Sequence, residues 1–135
     1  MKRLTLTTAA LVLLLSTSGL FAQNEKILNL KPEFLQNLEM AVMSENHGLS
    51  KSAIYLTGKY KISSLVDVLV EKISTEQDES IRLLIALTLN EIGTPESMAV
   101  VNFMSTEDTD NRVKKFCRLI MDEYLDSHKL VDVEY

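Results

Sequence analysis

The chain is short of the residues that break helices or staple loops together. Its 135 residues hold two prolines, four glycines, one cysteine and no tryptophan, and only 6% are aromatic. A single cysteine excludes an internal disulfide, so the fold has to rest on an apolar core. So few prolines and glycines argue against a chain of short strands and tight turns, and for helices. Catalytic signatures are missing too. There is no glycine-rich phosphate loop and no GxSxG turn. The two histidines, His47 and His128, are far apart and lack a partner at helical spacing, so no zinc site is expected.

Long apolar runs are absent as well. Met1 to Ala22 opens with Lys2 and Arg3, continues with the short apolar run Ala9–Leu15 and closes on Ser16, Thr17, Ser18, Gly19 and Phe21-Ala22. That order predicts a signal peptide, 1–22, cleaved after Ala22. The apolar run falls short of the roughly 20 residues a membrane span needs, so no stable membrane insertion is expected after cleavage. Export to the periplasm or the medium follows as the expected localisation. Without the leader, 12 lysines and arginines face 19 acidic residues, a net charge of 12 − 19 = −7. A balance that negative opposes nonspecific nucleic-acid binding and docking on anionic lipid, both of which need cationic contacts.

What the chain does have is helical periodicity that repeats. Residues 78–104 read as two helices joined by a turn. Ile81, Leu84, Ile85, Thr88, Leu89 and Ile92 form an apolar stripe. Gly93 suits a left-handed C-cap, Thr94 an N-cap and Pro95 the first turn of the next helix, which carries Met98, Val101 and Met104. Sliding the sequence along itself by one fixed step aligns Leu49 with Ile81 and Ile81 with Val113. The same step aligns Ala53, Ile85 and Cys117, then Leu56, Thr88 and Ile120, then Tyr60, Ile92 and Tyr124. One hairpin cannot bury its own apolar face, so a period of about 30 residues predicts stacked hairpins sharing a core.

The run IRLLIALTLNEIGTPES resembles the HEAT-like repeats common in bacteria, through Ile81, Arg82, Ala86, Leu89, Ile92, Gly93 and Pro95. The unit before it resembles the same pattern through Leu49, Ala53, Gly58 and Tyr60, but has Lys61 at the turn glycine and no proline. The unit after it keeps Val113, Lys114 and the apolar spacing. The resemblance spans about residues 48–125. It implies an all-α fold, a short right-handed α-α superhelix (a HEAT-like solenoid) of about six helices, with the second helix of each hairpin on the inner face. The expected organisation is a linker over 23–31, the repeat domain over 32–127 and a tail over 128–135.

Each candidate for chemistry has a structural explanation. Cys117 shares a repeat position with Ala53 and Ile85, which predicts a buried small apolar residue. The carboxylates Glu76, Asp78 and Glu79, and Glu107, Asp108 and Asp110, lie in inter-helix loops and suit helix capping. DTDN, Asp108 to Asn111, lacks the glycine and distal glutamate of a calcium loop. Met40, Met43, Met98, Met104 and Met121 read as core filler rather than copper ligands. No cofactor and no catalytic residue is expected. The expected function is a non-enzymatic exported scaffold that binds a protein partner in the cell envelope through Asp67, Glu71, Glu96 and Asn102. Two alternatives stand beside it. One is an enzyme or ligand-binding protein similar to HEAT-like bilin lyases. The other is a self-associating structural envelope protein.

Overall fold

The computed structural model describes residues 30–131. The expected leader, most of the linker and the last four residues of the tail lie outside the described residues. Among the described residues there are six α-helices and no strand: α1 Pro32–Val42, α2 His47–Lys59, α3 Val66–Thr75, α4 Glu79–Ile92, α5 Pro95–Glu107 and α6 Asn111–Val131. A single 3-10 turn, Ser63–Leu65, leads into α3. The compact unit that carries the core begins at Gln36, inside α1, and Leu30–Leu35 belong to a preceding unit. In that preceding unit the Phe34 and Leu35 N–H groups both donate to the Lys31 carbonyl, at 2.9 and 3.3 Å, which opens α1.

Alternate helices pack on one another. α2 lies on α4 and α4 on α6, while α3 lies on α5. Neighbours in sequence also meet, α3 with α4, α4 with α5 and α5 with α6. α4 is therefore the helix that α2, α3, α5 and α6 share. Its buried residues, Ile81, Arg82, Ile85, Ala86, Thr88, Leu89 and Ile92, form a band wider than one stripe. Burying Ile81, Ile85 and Leu89 completely contributes about 1.5–3 kcal/mol each before entropy is counted. α5 supplies Met98, Val101 and Met104, and α3 supplies Val66 and Leu69, all buried.

The repeat register holds in the middle of the series and loosens at α2. Ala53, Ile85 and Cys117 are all buried, and so are Ile81 and Val113. Leu49 and Tyr60, expected on the same stripe, are exposed by 50% and 41%. α2 instead turns Ser50, Ile54, Thr57 and Gly58 inward. The reason lies in its neighbours. The Ser50 hydroxyl donates to the Val42 carbonyl at 2.7 Å, tying α2 to the end of α1. On the α4 side the Thr88 hydroxyl donates to the Ile54 carbonyl at 3.1 Å. A methyl group on Gly58 would stand 3.2 Å from both Cα and Oγ1 of Thr88, so only a glycine admits this approach without a shift.

Local caps set the helix boundaries. Asn46 caps α2, which starts at His47. The segment from Ile62 forms the 3-10 turn before α3 begins at Val66. The turn itself explains the longest helix. Lys61 (φ 50°) and Gly93 (φ 68°), which occupy equivalent repeat positions, are both left-handed. After α2 the Lys61 N–H donates to the Gly58 carbonyl and the Ile62 N–H to the Thr57 carbonyl, each at 2.9 Å, the paired bonds of a Schellman end. The next equivalent position is Leu125, a good helix former that does not favour that conformation, and α6 runs through it to Val131. The tail expected from His128 is thus helical over its first four residues.

Lys61 holds a conformation that costs a side-chain-bearing residue about 1 kcal/mol. Lys61→Gly is expected to raise the unfolding free energy by about that amount, measured by urea denaturation; an unchanged or lowered midpoint would show that the position carries no strain.

Candidate functional site

The polar chemistry of this protein gathers in the loops that precede α2, α4 and α6, and it recurs with the period of the repeat. In each loop one residue accepts a hydrogen bond from the N–H two positions on. The Asn46 N–H donates to Ser44 Oγ at 3.1 Å, the Asp78 N–H to Glu76 Oε1 at 2.8 Å, and the Asp110 N–H to Asp108 Oδ1 at 2.8 Å. That second residue then caps the helix. Asn46 Oδ1 accepts from the Leu49 N–H, Asp78 Oδ1 from Ser80, and Asp110 Oδ1 from Arg112 and Val113. The acidic loops expected to cap helices do so, and each cap satisfies N–H groups that the first helical turn leaves open.

Buried cations tie successive loops together. Lys72 Nζ lies 3.4 Å from the Ser44 carbonyl, to which it donates, and 3.1 Å from Glu76 Oε2, with both side chains nearly inaccessible. Arg82 repeats the arrangement one loop on. Its Nη1 donates to the Glu76 and Gln77 carbonyls, each at 3.0 Å. Its Nε and Nη2 donate to the two Asp108 carboxylate oxygens at 2.9 and 3.1 Å, a bidentate pair. Nearer solvent, Asp78 faces His47 at 3.6 Å and Lys51 at 3.9 Å.

These contacts shift the carboxylates. Burial alone would raise the Glu76 pKa, but the Asp78 N–H bond and the Lys72 ammonium outweigh it, and the group titrates below its ordinary 4.5. The Ser80 hydrogen bonds hold Asp78 below 3.8, with Lys51 and His47 adding to the effect. Cys117 moves the other way. Burial, and then the Asp108 charge, push its thiol up to about 11, so it stays protonated and unreactive near neutral pH. Among the described residues no group of three or more His, Cys, Asp or Glu is placed to hold a metal ion, and no helix is long and apolar enough to cross a membrane.

Three of the surface cavities among the described residues bear on the candidate site. The first, about 210 Å³, lies beside the Arg82–Asp108 pair and is lined by Ile73, Glu76, Phe103, Met104 and Glu107 among others. The second, about 350 Å³, is lined by Ser63, Ser64, Val66, Asp67, Thr94 and Glu96. It brings together two of the four residues expected to meet a partner, Asp67 at the start of α3 and Glu96 at the start of α5. Glu71 and Asn102 lie outside that cavity, exposed on the same two helices. The third, about 340 Å³, lies along α2 and α4 and is lined by Tyr55, Gly58, Lys59, Leu84, Leu87, Thr88 and Glu91.

That third cavity exposes a feature the sequence reading passed over. Tyr55, Leu87 and Leu119 are exposed by 57%, 43% and 59%, and each stands one repeat from the next. The shift that aligned the buried stripe aligns these as well, so the signal was present in the sequence. Burial patterning overlooks it because these residues stand on the side of each helix away from the core. Comparison with protein-family models, with curated proteins and with solved structures returns no match. The class of the protein therefore rests on its own geometry: the described residues are all-helical, and the loop caps and several buried positions recur at one fixed spacing.

Removing one partner of a buried bidentate pair leaves the other charged and unpaired. Asp108→Asn is expected to cost about 3 kcal/mol of stability, read from urea unfolding, whereas a loss below about 1 kcal/mol would mean the pair is solvated in solution. Glu76 and Asp78 add a pH dependence. Their folded pKa values lie below the ordinary 4.5 and 3.8, so the stabilisation they supply is complete above those values and is lost as pH falls through the folded ones. The melting temperature should fall on acidification from pH 5 toward pH 3, and Glu76→Gln should flatten part of that slope; a slope identical to wild type would remove Glu76 from the account.

Proposed function

We propose that this chain is a short HEAT-like solenoid acting as a non-enzymatic, exported scaffold for protein–protein interaction in the cell envelope. The recurrence of the loop caps before α2, α4 and α6 carries the fold part of this reading. Three loops that each place an Asn or Asp cap at one fixed spacing, its own N–H bonded to the residue two before it, joined to helices that pack alternately, α2 on α4 on α6 and α3 on α5, are what stacked hairpins of one repeat produce. The right-handed superhelix and the export of the chain are parts of the proposal. The leader-like order of residues 1–22 supports export.

The interaction part rests on where polar side chains stand relative to the core. Asp67, Glu71, Glu96 and Asn102 are all exposed on α3 and α5, the second helices of their hairpins, and none is engaged in the loop network. Two of them share the 350 Å³ cavity at the starts of those helices. Three acidic side chains and an amide on one pair of packed helices fit a partner with a basic or hydrogen-bonding surface, and charged rims of this kind act mainly on encounter rate and partner choice. The titrating groups in the loops are already occupied by structural partners, which supports a binding role over acid–base catalysis.

The test is retention of an envelope protein on immobilised chain, compared with a variant carrying alanine at Asp67, Glu71, Glu96 and Asn102. Loss of that protein with unchanged helical circular dichroism is the expected outcome. Equal retention by both would remove this face from the proposal.

A further inference from the structure

Helix α6 presents to solvent a charge pattern that is its own complement. Arg112 and Lys115 precede Leu119, and Glu123 and Asp126 follow it; all five are exposed. The spacing is symmetric, with Lys115 and Glu123 four residues from Leu119 and Arg112 and Asp126 seven. Residues four and seven apart share one side of a helix, about 6 and 10.5 Å along its axis. A second α6 laid antiparallel, Leu119 against Leu119, sets each Lys115 opposite Glu123 of the other copy and each Arg112 opposite Asp126. A parallel pair would set like charges side by side.

Among the three helices that share this register, the symmetry is confined to α6. About Tyr55 in α2 the equivalent positions are Lys51 and Lys59, which would repel across the same arrangement. About Leu87 in α4 they are Leu83 and Glu91. Exposed Leu87 on α4, which packs on α6, occupies the repeat position equivalent to Leu119 and adds apolar area. Arg112 already pairs with Glu79 within its own chain, so Lys115 and Glu123 are the pair that decides the contact.

We infer that the outer face of α6 is the contact of an antiparallel, two-fold homodimer, centred on Leu119 and set in register by reciprocal Lys115–Glu123 pairs. The contact stands apart from the Asp67 face and does not depend on it. A short seam with two large apolar side chains per copy, Leu119 and Leu87, gives a weak dimer that dissociates on dilution and weakens with salt.

Sedimentation equilibrium of the full chain over a wide concentration range, at low and high salt, tests this. The expected result is a mass that climbs from one chain toward two and climbs later in high salt. Lys115→Glu and Glu123→Lys should each raise the dissociation constant about tenfold, since each replaces two attractive pairs by two repulsive ones. The double variant K115E/E123K should return close to wild type. All three substitutions lie on exposed positions, and unchanged circular dichroism confirms that the fold is intact. A mass of one chain throughout overturns the inference. So does a dimer indifferent to the single substitutions, or one that the double variant fails to restore. Retention of a partner through the Asp67 face by a strictly monomeric chain overturns this inference alone.

Discussion

Two buried cations, Lys72 and Arg82, set the distances between the loops that begin α2, α4 and α6, and the rest of the structure inherits that spacing. Each joins a backbone carbonyl of one loop to the carboxylate of the next: Ser44 to Glu76 through Lys72, and Glu76 and Gln77 to Asp108 through Arg82. The two come from different helices, the end of α3 and the start of α4, yet meet the same need. An ion pair in so dry a setting contributes less net stability than its geometry suggests, because both partners have lost their water. What it does supply is direction. Three arginine nitrogens in a planar fork fit only one arrangement of two carbonyls and a carboxylate, so helix register follows from it. The caps depend on the same atoms, since Glu76 and Asp108 each accept the N–H of their own loop's capping residue as well as the cation.

The demand then passes to α4. A helix shared by α2, α3, α5 and α6 has to be apolar over most of its circumference, and the run from Ile81 to Ile92 is. Such a helix cannot keep its outward side polar as readily as one with a single buried stripe. Leu83 and Leu84 are half-buried and Leu87 is exposed, a residue of that composition left at the surface. The flanking helices dilute it: Lys51 and Lys115 stand at the positions equivalent to Leu83. Crowding on the α2 side explains the glycine at Gly58, where Thr88 comes close enough to bond the Ile54 carbonyl.

Much of this was legible in the residues. The helical class, the Gly93–Thr94–Pro95 turn, the capping role of Asp78 and the burial of Cys117 all follow from local preference or from the repeat register, which act over a few residues and leave a periodic trace. Lys61 in a left-handed turn was legible only through the register, since lysine itself gives no sign of that conformation. The Arg82–Asp108 pair was not, because a whole helical hairpin separates the partners and no periodicity marks them. The outward rotation of Leu49 and Tyr60 was hidden for a related reason. Which side of α2 is buried depends on the end of α1 and on Thr88, neither visible in α2's own pattern. The face made by Asp67 and Glu96 was half legible: the exposure of its four residues was foreseen, but not that only two of them border one cavity.

The repeat constrains some positions and releases others, and the released ones set what each unit offers. Positions 46, 78 and 110 stay Asn or Asp because a helix start needs an acceptor. Positions 53, 85 and 117 stay small or apolar because they are buried. At the equivalent positions in α6 the pattern breaks. Buried Arg82 and Ala86 correspond there to half-buried Lys114 and exposed Arg118, and Arg118 Nε donates to the Ser105 carbonyl at 3.1 Å. Charge at those positions opposes packing of another apolar helix on that side of α6. Apolar area exposed on α6 remains at Leu119 and Leu125, of which Leu119 alone shares the register of Tyr55 and Leu87. The association inferred for α6 therefore uses the outward face, where Leu119 sits between opposite charges.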